Sequence, residues 1–395
     1  MTAAVCKPLP ERLPLAGLSA LALAGFLTVL TEALPAGLLP HMSAWLGVSQ
    51  PMVGQLITAY ALGSLLTAIP LTSATRSWRR RPLLIAAIAG FLIVNAVTAL
   101  SPLYSVTLAA RFAAGIFAGV VWSLLAGYAG RMSPAHLGGR AMAIVMIGIP
   151  LSLTIGIPAG TFLGGLIGWR AVFLVMSAIS IVLIGWIVWR VPDFEGETAG
   201  ARRSLAKVIA LPGLKAVLAG TLGFVLAQNI LYTYIAPFLE RSGLADRVDV
   251  VLLVFGLSAL VGIWITGLLI DQRLKQLALA STILFAAAAL LMGLWGGSPV
   301  VVIAAVVVWG VGFGGAPTFL QTASARVAGD AADVAQSMIV TIWNLAIAIG
   351  GLIGGVLLQY QGAASLPWSL LALLIPTGVV IAMSRHGFRQ GCGAA

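Results

Sequence analysis

Apolar residues run along this chain in long blocks, and the polar stretches between them are short. Twelve blocks stand out, at about 15–39, 51–73, 82–100, 104–130, 140–165, 170–189, 213–238, 249–270, 276–295, 299–325, 333–358 and 367–384. Each is close to or above the ~20 residues that a helix needs to cross the hydrocarbon of a bilayer. Runs this long and uniform lack the alternation of a transmembrane β-strand and predict α-helices. The first block begins near Leu15, behind Lys7 and Arg12, and is longer than the apolar core of a signal peptide. It is expected to be a retained first span.

Composition agrees with a polytopic membrane protein. Hydrophobic residues make up 60% of the chain and charged residues 8%, against about 25% charged in soluble domains. The net charge of +11 would point to nucleic acid in a soluble protein, but here the loop pattern accounts for it. With the N-terminus placed inside, the cytoplasmic segments hold Lys7, Arg12, Arg76, Arg79, Arg80, Arg81, Arg131, Arg140, Arg190, Arg202, Arg203, Lys207, Lys215, Arg273, Lys275, Arg326, Arg385 and Arg389. These are 18 of the 22 basic residues; the outer segments hold only Arg170, Arg241 and Arg247. The asymmetry predicts both termini in the cytoplasm. Cys6 and Cys392 lie in the two tails, and no disulfide is expected between them.

The longest polar interruption, about 190–212, divides six runs from six. The halves echo each other. Ser101-Pro102 opens the fourth run and Ser298-Pro299 the tenth, 197 residues later, close to half of 395. The basic loop after the second run begins near Thr72 and its counterpart near Gly267, 195 residues later. The expected fold is therefore all-α: twelve transmembrane helices as two pseudo-symmetric six-helix bundles, residues 1–190 and 213–395, joined by a cytoplasmic linker at 191–212. A substrate site is expected near the midplane between the repeats.

Five stretches carry a family resemblance: TEALPAGLLP at 31–40, LITAYALG at 56–63, RFAAGIFAG at 111–119, GIPAGTFLGG at 156–165 and GWRAVFL at 168–174. The chain resembles the major facilitator superfamily. Within it, the chain is similar to the twelve-span drug:proton and sugar-efflux antiporters, among them arabinose efflux permeases and chloramphenicol exporters. The resemblance implies a bacterial inner-membrane exporter working by alternating access, and leaves the substrate open. It implies a proton-coupling role for Arg111, which precedes Gly115 by four residues. It implies an antiporter motif, in variant form, at Gly156, Pro158, Gly160, Gly164 and Gly165. Pro35 and Pro40 fit the proline pair of the first span. Gly267, Asp271 and Arg273 match a gating loop motif in its second-half copy. The first-half copy departs from the pattern, with Thr72 and Arg76 where the family has glycine and aspartate.

Of eleven acids, only Glu32 falls well inside a run; of the bases, only Arg111 does. A charge at the centre of a span costs about 2.5–3.5 kcal/mol on insertion scales, so the two are expected to find each other. Both lie about seven residues from the outer end of their runs, roughly 10 Å deep at 1.5 Å per residue. Burial disfavours a charged carboxylate and a nearby guanidinium favours it, so a Glu32–Arg111 pair forms a proton switch. Arg111, which keeps its own proton, is the electrostatic partner. The bland alternative is that Glu32 reaches the interface and Arg111 only staples two helices.

In the resembled fold the first, fourth, seventh and tenth spans bound the cavity. The substrate contacts expected there and beside them are Tyr60, Trp122, Gln228, Asn229, Tyr232, Gln321 and Asn344, with Gln228 and Tyr232 on one helical face. Ser123, Tyr234, Trp309, Thr318, Trp343 and Gln55 are further candidates. Amides, hydroxyls and aromatic faces suit an uncharged, hydrogen-bonding molecule. The glycines of the fifth run, and Gly350/Gly354 and Gly351/Gly355 of the eleventh, have small-xxx-small spacing, which serves either sliding or static packing. Asp271 is expected to meet the start of the fifth span near Arg140.

No His/Cys cluster has metal-ligand spacing, and His41, His136 and His386 fall outside the runs. No cofactor, metal, nucleotide drive or enzymatic activity is expected. The expected function is proton-coupled efflux of small neutral or amphipathic molecules, sugars or drugs, by a monomer whose partners are substrate, protons and lipid. The alternatives are a proton-independent facilitator, or a non-transporting membrane sensor on the same scaffold.

Overall fold

Inside a bilayer no water is available to the backbone, so each apolar run closes its hydrogen bonds within itself as a helix. A computed structural model describes residues 13–75, 77–134, 137–196, 208–384 and 386–388. The segments are α1 (Leu15–Gly37), α2 (Gln50–Ala74), α3 (Arg80–Leu100), α4 (Tyr104–Met132), α5 (Arg140–Ile167), α6 (Trp169–Arg190), α7 (Leu214–Thr233), α8 (Ala245–Ile270), α9 (Gln272–Trp295), α10 (Pro299–Ala328), α11 (Val334–Gln361) and α12 (Ala363–Met383). Eleven are long and apolar enough to cross a membrane, and α2, with 25 residues, takes second place in the series. Cys6, Cys392, Arg76, His136, residues 197–207 of the linker, and Lys7, Arg12, Arg385 and Arg389 lie outside the described residues. So do the side chains of Thr72, Asp271 and Asp333.

The predicted boundaries hold within a few residues, with five local differences. After α1 the chain turns at Leu38 into a short helix, Leu39–Leu46. α7 breaks at Tyr234 before a short continuation, Ile235–Leu239, and α10 breaks at Gly315. Between α8 and α9 only Arg273 leaves helical geometry (φ −132°, ψ 32°), where a loop over 271–275 was expected. α5 carries a wide π turn, Ser152–Gly156. Pro158 explains it: the ring has no N–H to give to the carbonyl four residues back and clashes with it, so the turn before it opens.

One end of the bundle, the basic end, carries Arg79–Arg81, Arg131 and Lys275. There the start of the linker folds back on the first six spans. Asp193 accepts from the Arg81 N–H at the start of α3 (3.1 Å) and pairs with Arg79 (2.7 Å). Phe194 lies against Tyr128 and the Arg131 guanidinium. In the last six spans, Lys275 donates to the carbonyls of Ala382 and Ser384, and the buried Phe388 packs near Gly220.

At the opposite end the first six spans meet the last six. Tyr234 donates to the carbonyls of Gly351 (2.8 Å) and Pro51 (3.4 Å). Gln55 donates to Gly351 (3.3 Å), Thr58 to Ala348 (3.4 Å) and Gln50 to Glu240 (3.2 Å). Nearer mid-depth, Thr154, from the π turn, donates to the Gly256 carbonyl of α8 (3.1 Å). A surface cavity of about 570 Å³, lined by Gln50, Pro237, Glu240, Arg241 and Gln359 among others, sits at the end opposite the basic one.

The two glycine stripes of α11 divide the work of this seam. A Cβ at Gly350 or Gly354 would press on α7, at Asn229 or at Ile230 and its neighbour Tyr234. A Cβ at Gly351 would press on Thr58 of α2, and one at Gly355 on Gln55 and Pro51 of α2 as well as on the Tyr234 hydroxyl. One stripe thus packs α11 against its neighbour among the last six spans, and the other lets α2 of the first six approach.

Two outcomes follow. Gly351→Leu is expected to wedge α2 from α11; spin labels at Ser49 and Gln359 should show the separated population rise at least tenfold. Asp193→Ala should cost about 1 kcal/mol through the lost helix-end acceptor and lower the melting midpoint in detergent by a few degrees. Asp193→Asn, which can still accept, should recover most of that loss. The Arg79 pair adds little because that side chain is 66% exposed.

Candidate functional site

The polar side chains of α1 gather where three other helices reach in. Thr28, Thr31 and Glu32 share a face by their i, i+3 and i+4 spacing. Tyr60 of α2 donates to the Thr28 carbonyl (3.0 Å), and Asn95 of α3 donates to the Thr31 hydroxyl (3.3 Å). Arg111 of α4 donates through Nη2 to the Glu32 carbonyl (2.9 Å). Its guanidinium carbon stands 5.1 Å from the Tyr60 ring centre, a cation–π contact, and the side chain is fully buried. Gly115, one turn along α4, permits this: a Cβ there would collide with the Tyr60 carbonyl.

The predicted Glu32–Arg111 neighbourhood is present, but the contact differs from the one expected. The guanidinium holds the backbone of residue 32, and the carboxylate is not within ion-pair distance of it. The reason is local. Pro35 has no N–H for the Thr31 carbonyl, while the Glu32 carbonyl, whose helix donor is Ala36, keeps a second lone pair. That lone pair is an available acceptor. Arg111 Nε and Nη1 are left buried without partners, while the Glu32 side chain is half-buried and lies within electrostatic reach of Arg111, Tyr60 and Tyr232. An orphaned donor on a buried cation is costly, so the arrangement is poised for another acceptor.

From the last six spans Gln228, Tyr232 and Trp309 adjoin. The shared face of Gln228 and Tyr232 is real, and it rests on α10: Trp309 Nε1 donates to Gln228 Oε1 (2.6 Å), and the Tyr232 and Trp309 ring centres are 6.2 Å apart. Gln228 Oε1 is therefore engaged within the protein. The Tyr232 hydroxyl is buried and without a partner.

The other predicted contacts are spread out. Trp122 is half-buried near Gly25 of α1. Asn229 and Asn344 turn their amides back on the carbonyls of Val225 and Val340, each at 2.9 Å. Gln321 is exposed on the basic half of α10, as is Thr318. Tyr234 and Gln55 belong to the closed seam.

The glycine stripe of α5 faces α1, not the other six spans. Cβ atoms at Gly156, Gly160 and Gly164 would press on Phe26, Leu34 and Leu38. In this structure it is a packing surface within the first six spans, shaped with Pro158. Gly267 is exposed with open space beside it, and Arg273 is exposed at the α8–α9 break. The contact expected of Asp271 falls on a side chain outside the described residues.

Asn95 and Trp309's bond to Gln228 escaped the sequence reading of the site. The signal for Asn95 was there: it is the one amide in an otherwise apolar third run.

The arrangement resembles that of known proteins across its length. A purine ribonucleoside efflux pump of Escherichia coli, NepI, is 27% identical over 339 residues, 85% of this chain and 86% of that protein. The transcription regulatory protein OpdE of Pseudomonas aeruginosa is 32% identical over 365 residues, 91% of each chain. Among solved structures, a nucleoside transporter, NupG, superposes with a TM-score of 0.76 at 12% identity, covering 94% of this chain and 100% of that one. A POT family transporter in complex with 5-aminolevulinic acid gives 0.77 at 14%, covering 93% and 95%. Residues 21–351 match the family model of the Major Facilitator Superfamily, and the chain belongs to that superfamily.

Proposed function

We propose that this protein is a proton-coupled exporter of small, neutral, hydrogen-bonding molecules in the bacterial inner membrane. The reading takes residues 1–190 and 213–395 as two bundles that rock about the central site, joined by the 191–212 linker. It places the basic end and both termini in the cytoplasm, as the loop charges predict. The structure would then be closed outside and open inside, with exposed Ser123, Thr318 and Gln321 on the walls of an inward-facing cleft.

One observation carries the reading. A lone intramembrane carboxylate, half-buried and unpaired, sits beside a fully buried guanidinium that has two unpartnered nitrogens. When Glu32 is ionised, its carboxylate offers a strong acceptor, and the unmet Arg111 nitrogens offer donors, to a hydrogen-bonding substrate. When Glu32 takes a proton, that acceptor weakens and the substrate is held less well. Protonation and substrate binding thus oppose each other at one site, which is the differential binding that exchange requires. Substrate chemistry follows from the surroundings: aromatic faces, amides and a single acid suit a neutral molecule with several acceptors. A nucleoside, the cargo named for the 27% identical pump, has that chemistry; a sugar or an uncharged antibiotic has it too.

Exchange of a neutral molecule for one proton moves one charge per cycle. A potential of 100 mV then contributes about 2.3 kcal/mol, and each pH unit about 1.4 kcal/mol. Transport should therefore respond to both components of the proton gradient.

The 32% identical relative named a transcription regulatory protein supports a second reading, a membrane sensor on this scaffold. Proteoliposomes separate the two. Purine ribonucleosides, arabinose and chloramphenicol are offered in turn under an imposed pH gradient. The wild type should concentrate one class and release protons with it; a sensor would do neither. Glu32→Gln should lose gradient-driven accumulation at least tenfold yet retain exchange of labelled for unlabelled substrate. Unchanged accumulation by that variant would remove Glu32 as the proton site.

A further inference from the structure

The Tyr232 hydroxyl has no role in the packing described above. Its ring is held by Phe255 of α8 (5.6 Å between centres) and Trp309 of α10 (6.2 Å), so the hydroxyl is aimed by the last six spans. The side chain is 6% exposed, and its oxygen has no hydrogen-bond partner. A buried hydroxyl left unpaired is a standing cost that an acceptor elsewhere in the cycle can remove. The charged and titratable groups that face it come from the first six spans. Glu32 of α1 lies within electrostatic reach. Around Glu32 stand Arg111, whose Nη2 is on the residue-32 carbonyl, and Tyr60, whose hydroxyl is on the Thr28 carbonyl. The helices around α7 carry their other titratable residues at their ends: Asp246, Arg247 and Asp249 at the start of α8, Asp271 just beyond its end, Arg326 of α10, and Asp333 and Tyr360 beside and within α11; α12 carries none. At the depth of Glu32, Tyr232 is thus a donor from the last six spans facing the one acid of the first six.

We propose that Tyr232 is the residue through which the last six spans sense the charge on Glu32. Its hydroxyl donates to the carboxylate when Glu32 is ionised and ties α7 to α1. An ionised acceptor makes a hydrogen bond roughly twice as strong as a neutral one, so protonation loosens this tie between the two sets of helices. No proton leaves the phenol; the tyrosine positions and reports, and Glu32 carries. The proposal rests on the reading of Glu32 as the proton site.

The test uses the full chain in nanodiscs, with Cys6 and Cys392 replaced by Ser and spin labels at Ser49 and Gln359. The population closed at that end is followed against pH. Tyr232→Phe keeps the ring and its contacts and removes only the hydroxyl. Its transition midpoint should move upward by about one pH unit or more, because a donor to the carboxylate is lost. Trifluorotyrosine at position 232, a stronger donor of nearly the same shape, should move the midpoint downward. A structural disturbance would not give shifts of opposite sign. Midpoints equal to wild type in both proteins, with Glu32→Gln flattening the curve, would overturn the role of Tyr232 and leave that of Glu32 intact. A curve unaltered by Glu32→Gln would overturn both.

Discussion

A guanidinium that keeps its charge under all ordinary conditions is enclosed among the first six spans, and the helices around it are arranged to tolerate it. Arg111 is fully buried, so water cannot solvate it. Its needs are met in part by a carbonyl of α1 and the π face of Tyr60. Both depend on close approach. α4 can bring the guanidinium there because Gly115 admits the Tyr60 backbone, and α1 offers the second lone pair of the Glu32 carbonyl. Gly115 is therefore tied to the chemistry of one side chain. Its Nε and Nη1 nitrogens remain unmet.

The seam between the two sets of spans has a different character. Several of its hydrogen bonds measure 3.3–3.4 Å, at the weak edge of the range for such bonds. The bond from Tyr234 to Gly351 is shorter, at 2.8 Å, but both of its partners belong to the last six spans and need not part when the seam opens. Beside these bonds the seam is held by close approach at Gly54, Gly351 and Gly355 to uncharged side chains, which separate without stranding a charge. A few weak bonds, each worth about 1 kcal/mol net, suit two states of similar free energy.

Most of the architecture was legible in the sequence because its cause is repetitive. A bilayer imposes one length and one backbone solution on every crossing, so twelve apolar runs read as twelve helices. The exceptions are places where a single residue decides the geometry: the π turn before Pro158 and the one-residue break at Arg273. The site was legible in composition and not in contact. Counting charges singled out Glu32 and Arg111, and depth along the helices placed them together. Which atom of residue 32 receives the guanidinium turns on side-chain rotamers, and no periodicity carries that. The α5 glycines show the same limit. Their spacing announces a close helix neighbour, but α1 and the opposite bundle are equally good partners until the fold is seen.

The two ends of the molecule are tied by different rules, and this bears on how it moves. At the basic end the described ties stay within one set of spans: Asp193 and Phe194 fasten the chain after α6 to α3 and α4, and Lys275 and Phe388 fasten the chain after α12 to its own helices. Phe194 and Phe388 are 194 residues apart, close to the repeat spacing, so the same device recurs in each half. At the opposite end Gln50, Gln55 and Thr58 reach across to the other set, and Thr154 does so nearer mid-depth. Ties within each set at one end stiffen it there, and a weak join at the other makes that join the compliant element. A displacement of one set against the other would fall on the seam and on the central polar cluster, where Glu32 and Tyr232 stand on opposite sides.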